Sequence, residues 1–207
     1  MRTPSLLATA ARWFAYAALL AACLQGIVAA AAGGAAPGLL MRDDGPVETA
    51  QLVFVSLASA SFGWLAATAG PGRTLFRVLA CLGFVAAIRE LDNEFLVHGW
   101  REGWVWTAMV PLALAAVTVL RSPRVLAEEL GEFLGTAAAG LLFAGFVVVV
   151  VDAQLFGQKA LWIPLLGPDA YRPVKDMVEE VTELVGYVLL ACAAAEAVAA
   201  RRRAARG

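Results

Sequence analysis

Carboxylates and arginines placed inside apolar helices are the residues of this chain with the most chemistry in them. Only 11 residues separate Arg77 from Arg89. At 1.5 Å per residue they cover about 17 Å, little more than half of a hydrocarbon layer about 30 Å thick. Arg77 can snorkel towards one surface, but Arg89, Glu90 and Asp92 then lie at membrane depth. Only 12 residues separate Glu183 from Glu196, which puts Glu183 inside the opposite boundary and Glu180 at it. A charge at such depth is costly, so these side chains should face the bundle interior and pair. Glu180, Glu183 and Tyr187 share one helix face at i, i+3 and i+7, and Arg89 and Asp92 share another at i, i+3. Glu48 adds a third contributor, with Gln51 and Ser59 further along the same face. His98 and Asp152 fall at the same level.

The expected site thus collects Glu48, Arg89, Glu90, Asp92 and His98 as candidate acid, base and charge-stabilising groups, with Asp92, Glu180 and Glu183 as candidate metal ligands. His98 is the single histidine, and there is no CxxC motif, so a zinc site built on imidazole or thiolate is not available. An all-carboxylate set would suit a hard divalent cation such as Mg²⁺, Ca²⁺ or Mn²⁺. Each residue also has a plainer role. Gly45-Pro46-x-Glu48 has the form of a helix start with an acid in the first turn. Asp176 and Glu179 have capping-box spacing, and Arg89 with Asp92 could be a structural ion pair. Glu183 resists such a reading, because it lies beyond the turn where the helix dipole favours an acid. Arg124 and Glu128 fit an i, i+4 pair, and Glu128, Glu129 and Glu132 form a solvated end without chemistry.

The elements that must hold these residues are membrane spans. Hydrophobic residues make up 61% of the 207 and charged residues 16%, with a mean hydropathy of +0.74. A soluble domain carries roughly 45–50% and 25%. The net charge of −1 excludes a nucleic-acid binder driven by charge. Six apolar segments can cross a bilayer: residues 13–32, 47–69, 74–95, 103–120, 132–151 and 178–200. The expected fold is all-α, a single polytopic transmembrane helical bundle over residues 1–207. Pro111 predicts a kink in the fourth span. Gly131, Gly135 and Ala139 predict close helix packing on one face of the fifth.

With the N-terminus inside, the outer segments hold Arg42, Arg89, Arg101, Lys159, Arg172 and Lys175, and the other ten of the 16 basic residues lie inside. Both termini are therefore expected in the cytoplasm. The first span is longer than a signal-peptide core and is expected to be retained. Trp100, Trp104 and Trp106 form an interfacial belt. Residues 152–176 are too apolar for an aqueous loop and too interrupted to span, which predicts a re-entrant or surface-lying segment, either a lid on the site or a rest on the headgroups. Cys23, Cys81 and Cys192 sit in apolar runs as small hydrophobes.

Asp44-Gly45-x-x-Glu48, Arg89-Glu90-x-Asp92 with His98-Gly99, and Glu179-Glu180-x-x-Glu183-Leu184 resemble motifs of a group of uncharacterised bacterial polytopic inner-membrane proteins. That resemblance implies a multi-pass protein of the bacterial cytoplasmic (inner) membrane and no particular activity. A more distant similarity is to the alkaline ceramidase and adiponectin-receptor-like membrane hydrolases. Glu48 with Ser56 or Ser59, then Asp92 and His98, then Glu179 and Glu183 follow a similar order to that superfamily's zinc site. Here, however, there are six spans and glutamates stand in place of the late histidines. Three functions remain open: a structural or partner-binding membrane protein, a metal-dependent hydrolase of a lipid or lipid-linked substrate, and a proton or cation carrier. The partners implied are the lipid bilayer, a lipid substrate or another membrane protein.

Overall fold

The computed structural model describes residues 6–35, 40–41, 45–68, 70 and 72–205. Arg2, Pro37, Arg42, Asp44, Ala69, Pro71 and Arg206 lie outside the described residues. The described chain is helical, without strands. Its helices are α1 (Leu6–Ala32), α2 (Pro46–Thr68), α3 (Arg73–Arg89), α4 (Asp92–Val97), α5 (Gly103–Arg121), α6 (Pro123–Leu134), α7 (Ala137–Phe156), α8 (Lys159–Leu166) and α9 (Tyr171–Ala204). Five of them, α1, α2, α5, α7 and α9, are long and apolar enough to cross a membrane.

Helix α9 is the hub. It packs against α2 on one side and α7 on the other, while α3 packs on α2 and α5 on α3. Helices that stand among lipid tails gain little from hydrophobic burial, so for spanning helices close packing and interhelical polar contacts would decide. The composition of α9 suits both. Gly186, Ala193, Ala194 and Ala197 are buried and let neighbours approach. A Cβ on Gly186 would collide with Cγ2 of Val149, and one on Gly145 would lie 2.8 Å from the Gly186 carbonyl oxygen. Gly186→Val should therefore wedge α7 from α9 and lower stability by about 1–3 kcal/mol, which thermal unfolding of the purified protein would measure.

Four sequence expectations are corrected. The span over 74–95 is broken: α3 ends at Arg89, and α4 starts anew at Asp92. The span over 132–151 starts instead at Ala137, where the Thr136 hydroxyl caps the helix by accepting from the Ala139 amide at 3.2 Å. Gly131 therefore lies on α6 and Gly135 ends it, so the two do not share a face with Ala139. The close glycine approach is Gly145 with Gly186 instead. Asp176 is not a cap, because α9 begins five residues earlier at Tyr171. Lys175 pairs with both Asp176 and Glu179 there.

Residues 152–176 contain the end of α7 and all of α8. Trp162 donates its indole N–H to the Phe156 carbonyl at 2.5 Å, folding α8 back. Leu161, Ile163, Leu165 and Leu166 remain exposed on it, as a surface-lying segment requires. Trp100 and Trp106 are exposed, and Trp100 stacks edge-on to Phe95.

Candidate functional site

One end of the bundle carries a polar pocket of about 170 Å³ lined by Met41, Glu48, Arg89, Glu90, Asp92, Glu180 and Glu183. Four pieces of chain build it: the start of α2, the α3–α4 break, the early turns of α9 and Met41. The break matters most. Had the helix run on through residue 95, Glu90 and Asp92 would point about 200° apart. Ending the helix at Arg89 and restarting at Asp92 brings both to one pocket.

Glu183 lies at the centre, with only 4% of its surface exposed. Arg89 donates to its Oε1 at 3.3 Å, and Gln154 of α7 donates to the same oxygen at 3.4 Å. Arg89 also lies 3.9 Å from Glu90. Tyr187, one turn beyond Glu183, donates its hydroxyl to Glu90 at 2.6 Å. Gln51 of α2, fully buried, donates through Nε2 to both the carbonyl and the carboxylate of Glu180, at 2.8 and 3.0 Å. These contacts join α2, α3, α7 and α9 mainly through side chains.

The expected pairing of Arg89 with Asp92 is replaced by Arg89 with Glu183 and Glu90, because the break turns Asp92 to the exposed rim. His98 is not in the pocket. It is exposed, its Nδ1 lies 2.7 Å from the Glu94 carbonyl oxygen, and Glu94 is the carboxylate nearest to it. Asp152 is half-buried on α7 and does not line the pocket. No residue of α8 lines it either. The three candidate metal ligands Asp92, Glu180 and Glu183 do line one cavity. Among the described residues, however, no three His, Cys, Asp or Glu side chains converge as a metal-binding group. Ser59 donates to the Ala80 carbonyl at 2.8 Å in the α2–α3 seam, and Glu179 pairs with Lys175, which separates both from the pocket.

Sequence spacing does not reveal Gln154, whose placement depends on a π-helical segment, Val148–Ala153. One extra residue in a turn rotates the remainder of the helix by about 100°. The five consecutive valines 147–151 mark the place, since β-branched side chains crowd an ordinary helical turn. Tyr187→Phe should test the Tyr187–Glu90 bond. It leaves a buried carboxylate short of a donor at a cost of about 1–2 kcal/mol, equivalent to roughly 2–8 °C in Tm for a chain of this size.

A second cluster lies at the other end. Glu196 of α9, 4% exposed, accepts from Arg12 at 2.7 Å and from Tyr16 at 3.1 Å, and Arg203 lies 3.6 Å from its other oxygen. Glu129 is no solvated end: it accepts the backbone N–H groups of Gly72 and Leu75 at 3.0 and 2.7 Å and so caps α3. Arg124 and Glu128 stay exposed, and no ion pair joins them. Comparison with protein-family models, curated proteins and solved structures returns no match.

Proposed function

We propose that the chain is a non-enzymatic multi-pass protein of the bacterial inner membrane, with a polar network that fixes its helices and an acidic pocket mouth that receives a cationic group of another membrane component. One observation carries this reading. Three carboxylates of the cluster each take a donor from a different helix: Glu183 from Arg89 and Gln154, Glu90 from Tyr187, and the half-buried Glu180 from Gln51. These donors engage one oxygen of each carboxylate and tie it to a neighbouring helix, which is the work of a helix-joining network. The exposed rim supports the partner role, since Asp92 lines the pocket and is exposed.

A second reading, a cation or proton site, is favoured by a specific imbalance. Five carboxylates line the pocket with one guanidinium. The carbonyl oxygen of the Gln51 side chain is also buried without a hydrogen-bond partner among the described residues.

Elemental analysis of the detergent-purified protein, with melting in Mg²⁺, Ca²⁺ and chelator, separates the structural reading from a metal-cation site. The structural reading expects no stoichiometric metal, the same Tm in every condition, and a Tm lowered by several degrees in Glu183→Gln. A bound metal whose stabilisation disappears in Glu183→Gln would overturn it in favour of the cation site.

A further inference from the structure

A groove of about 750 Å³ runs between α3 and α5 on the face of the bundle away from α9, with the end of α2 closing its floor. Its volume falls within the roughly 300–1,000 Å³ of small-molecule sites. The floor is made of small residues, Gly63, Ala67 and Ala80. The walls are Phe84, Val110 and Leu114, all exposed. Charge enters only at one end, through Arg73 and Arg77, one turn apart on α3. Both are exposed, and neither makes an ion pair or hydrogen bond among the described residues. Glu129, the acid at this corner, is already engaged by the Gly72 and Leu75 amides.

We infer that this groove binds an anionic glycerophospholipid, with its phosphate on Arg73 and Arg77 and one acyl chain along the groove. Length and charge both point there. From Arg73 to Ile88, the lining residues of α3 run about 22 Å along the helix axis, more than half of a hydrocarbon layer about 30 Å thick. An acyl chain lies in that direction, and its headgroup sits at one end, where the two guanidiniums are. Arginine grips a phosphodiester in a planar, two-pronged way, and the extra ammonium of a zwitterionic headgroup would be repelled by the two guanidiniums. A second copy of this chain fits less well, since it would have to place an acid on unpaired arginines and an apolar helix in a groove open along its length.

Native mass spectrometry of the full chain, released from detergent containing phosphatidylglycerol or phosphatidylethanolamine, tests the inference. The wild type should retain phosphatidylglycerol preferentially. Arg73→Gln/Arg77→Gln should weaken that retention roughly 30-fold, at about fivefold per basic side chain near an anionic surface. Ala67→Phe, which fills the floor from an exposed position, should remove it while Arg73 and Arg77 remain. Inorganic phosphate at millimolar concentration should not compete, because it has no chain for the groove. Equal retention of the two lipids by the wild type, unchanged retention in Ala67→Phe, displacement by phosphate alone, or a dimer lost in Ala67→Phe would each overturn the proposal. The wild-type lipid comparison stands even if a variant fails to fold.

Discussion

Arg89→Met is expected to lower thermal stability by about 2–3 kcal/mol, the largest effect of any single substitution at the pocket. Removing one partner of a fully buried pair costs about 3–5 kcal/mol, because the other charge is left without compensation. The Arg89 side chain is 45% exposed while that of Glu183 is 5% exposed, so water reaches the arginine side and the cost falls below that range. Glu90 loses its nearest cation in the same step and keeps only the Tyr187 hydroxyl. Arg89→Lys should fall between the two. A single ammonium cannot span Glu183 and Glu90 as a planar guanidinium does. Thermal unfolding of the three proteins in one detergent gives the ranking, and equal melting of Arg89→Met and wild type would show that the pair contributes nothing.

Glu196→Leu is expected to detach α1. No residue of α1 is buried, and its partly buried side chains Tyr16, Leu20, Cys23 and Ile27 lie over Cys192 and Leu189 of α9. The polar anchor of that helix is Glu196, which holds Arg12 and Tyr16. Leucine at this position removes the acceptor for both. Cys192, 3% exposed beneath α1, then becomes accessible, whereas Cys81 sits in α3, away from α1, and reports on the rest of the fold. Labelling with N-ethylmaleimide should speed up at Cys192 by an order of magnitude or more, the behaviour of a locally opening unit, while Cys81 keeps its wild-type rate. Faster labelling at both cysteines would mean general unfolding and not the release of one helix.

Much of this arrangement is legible in the sequence, because depth can be counted. Twelve apolar residues between Glu183 and Glu196 place both near the ends of a span, and the structure finds each at the centre of a polar cluster. The face shared by Glu180, Glu183 and Tyr187 is the face that meets α2 and α3. The irregularities are not legible. Periodicity carries no signal for the break at Glu90–Leu91, since apolar and charged residues continue on helical spacing across it, and so spacing pairs Arg89 with Asp92. A glycine pair at helical spacing looks like a packing face until Thr136 caps a new helix between Gly135 and Ala139. Long-range partners leave no local trace: Arg12 and Glu196 are 184 positions apart, and nothing near either residue announces the other. His98 is drawn to the site by its place in the chain, but it sits in a turn that its own helix end satisfies.

The pocket and the Glu196 cluster also suggest why α9 is the most polar of the long helices. Their central residues lie 13 positions apart on one helix, about 20 Å along its axis. Each end of the hub is thus tied by charge, and the segment between is tied by small residues in close contact. That combination specifies which helix neighbours which, a task that apolar surface alone does poorly among lipid tails.

The most direct measurement is a double-mutant cycle between Arg89 and Glu183, using Arg89→Met, Glu183→Gln and the double variant, read by thermal unfolding in a single detergent without divalent ions. If Glu183 is held by Arg89 as part of a helix-joining network, the two substitutions will be non-additive by about 1–3 kcal/mol, with the double variant more stable than the sum of the singles predicts. Additive losses, with a coupling near zero, would contradict the account and leave Glu183 as a buried carboxylate kept for another purpose.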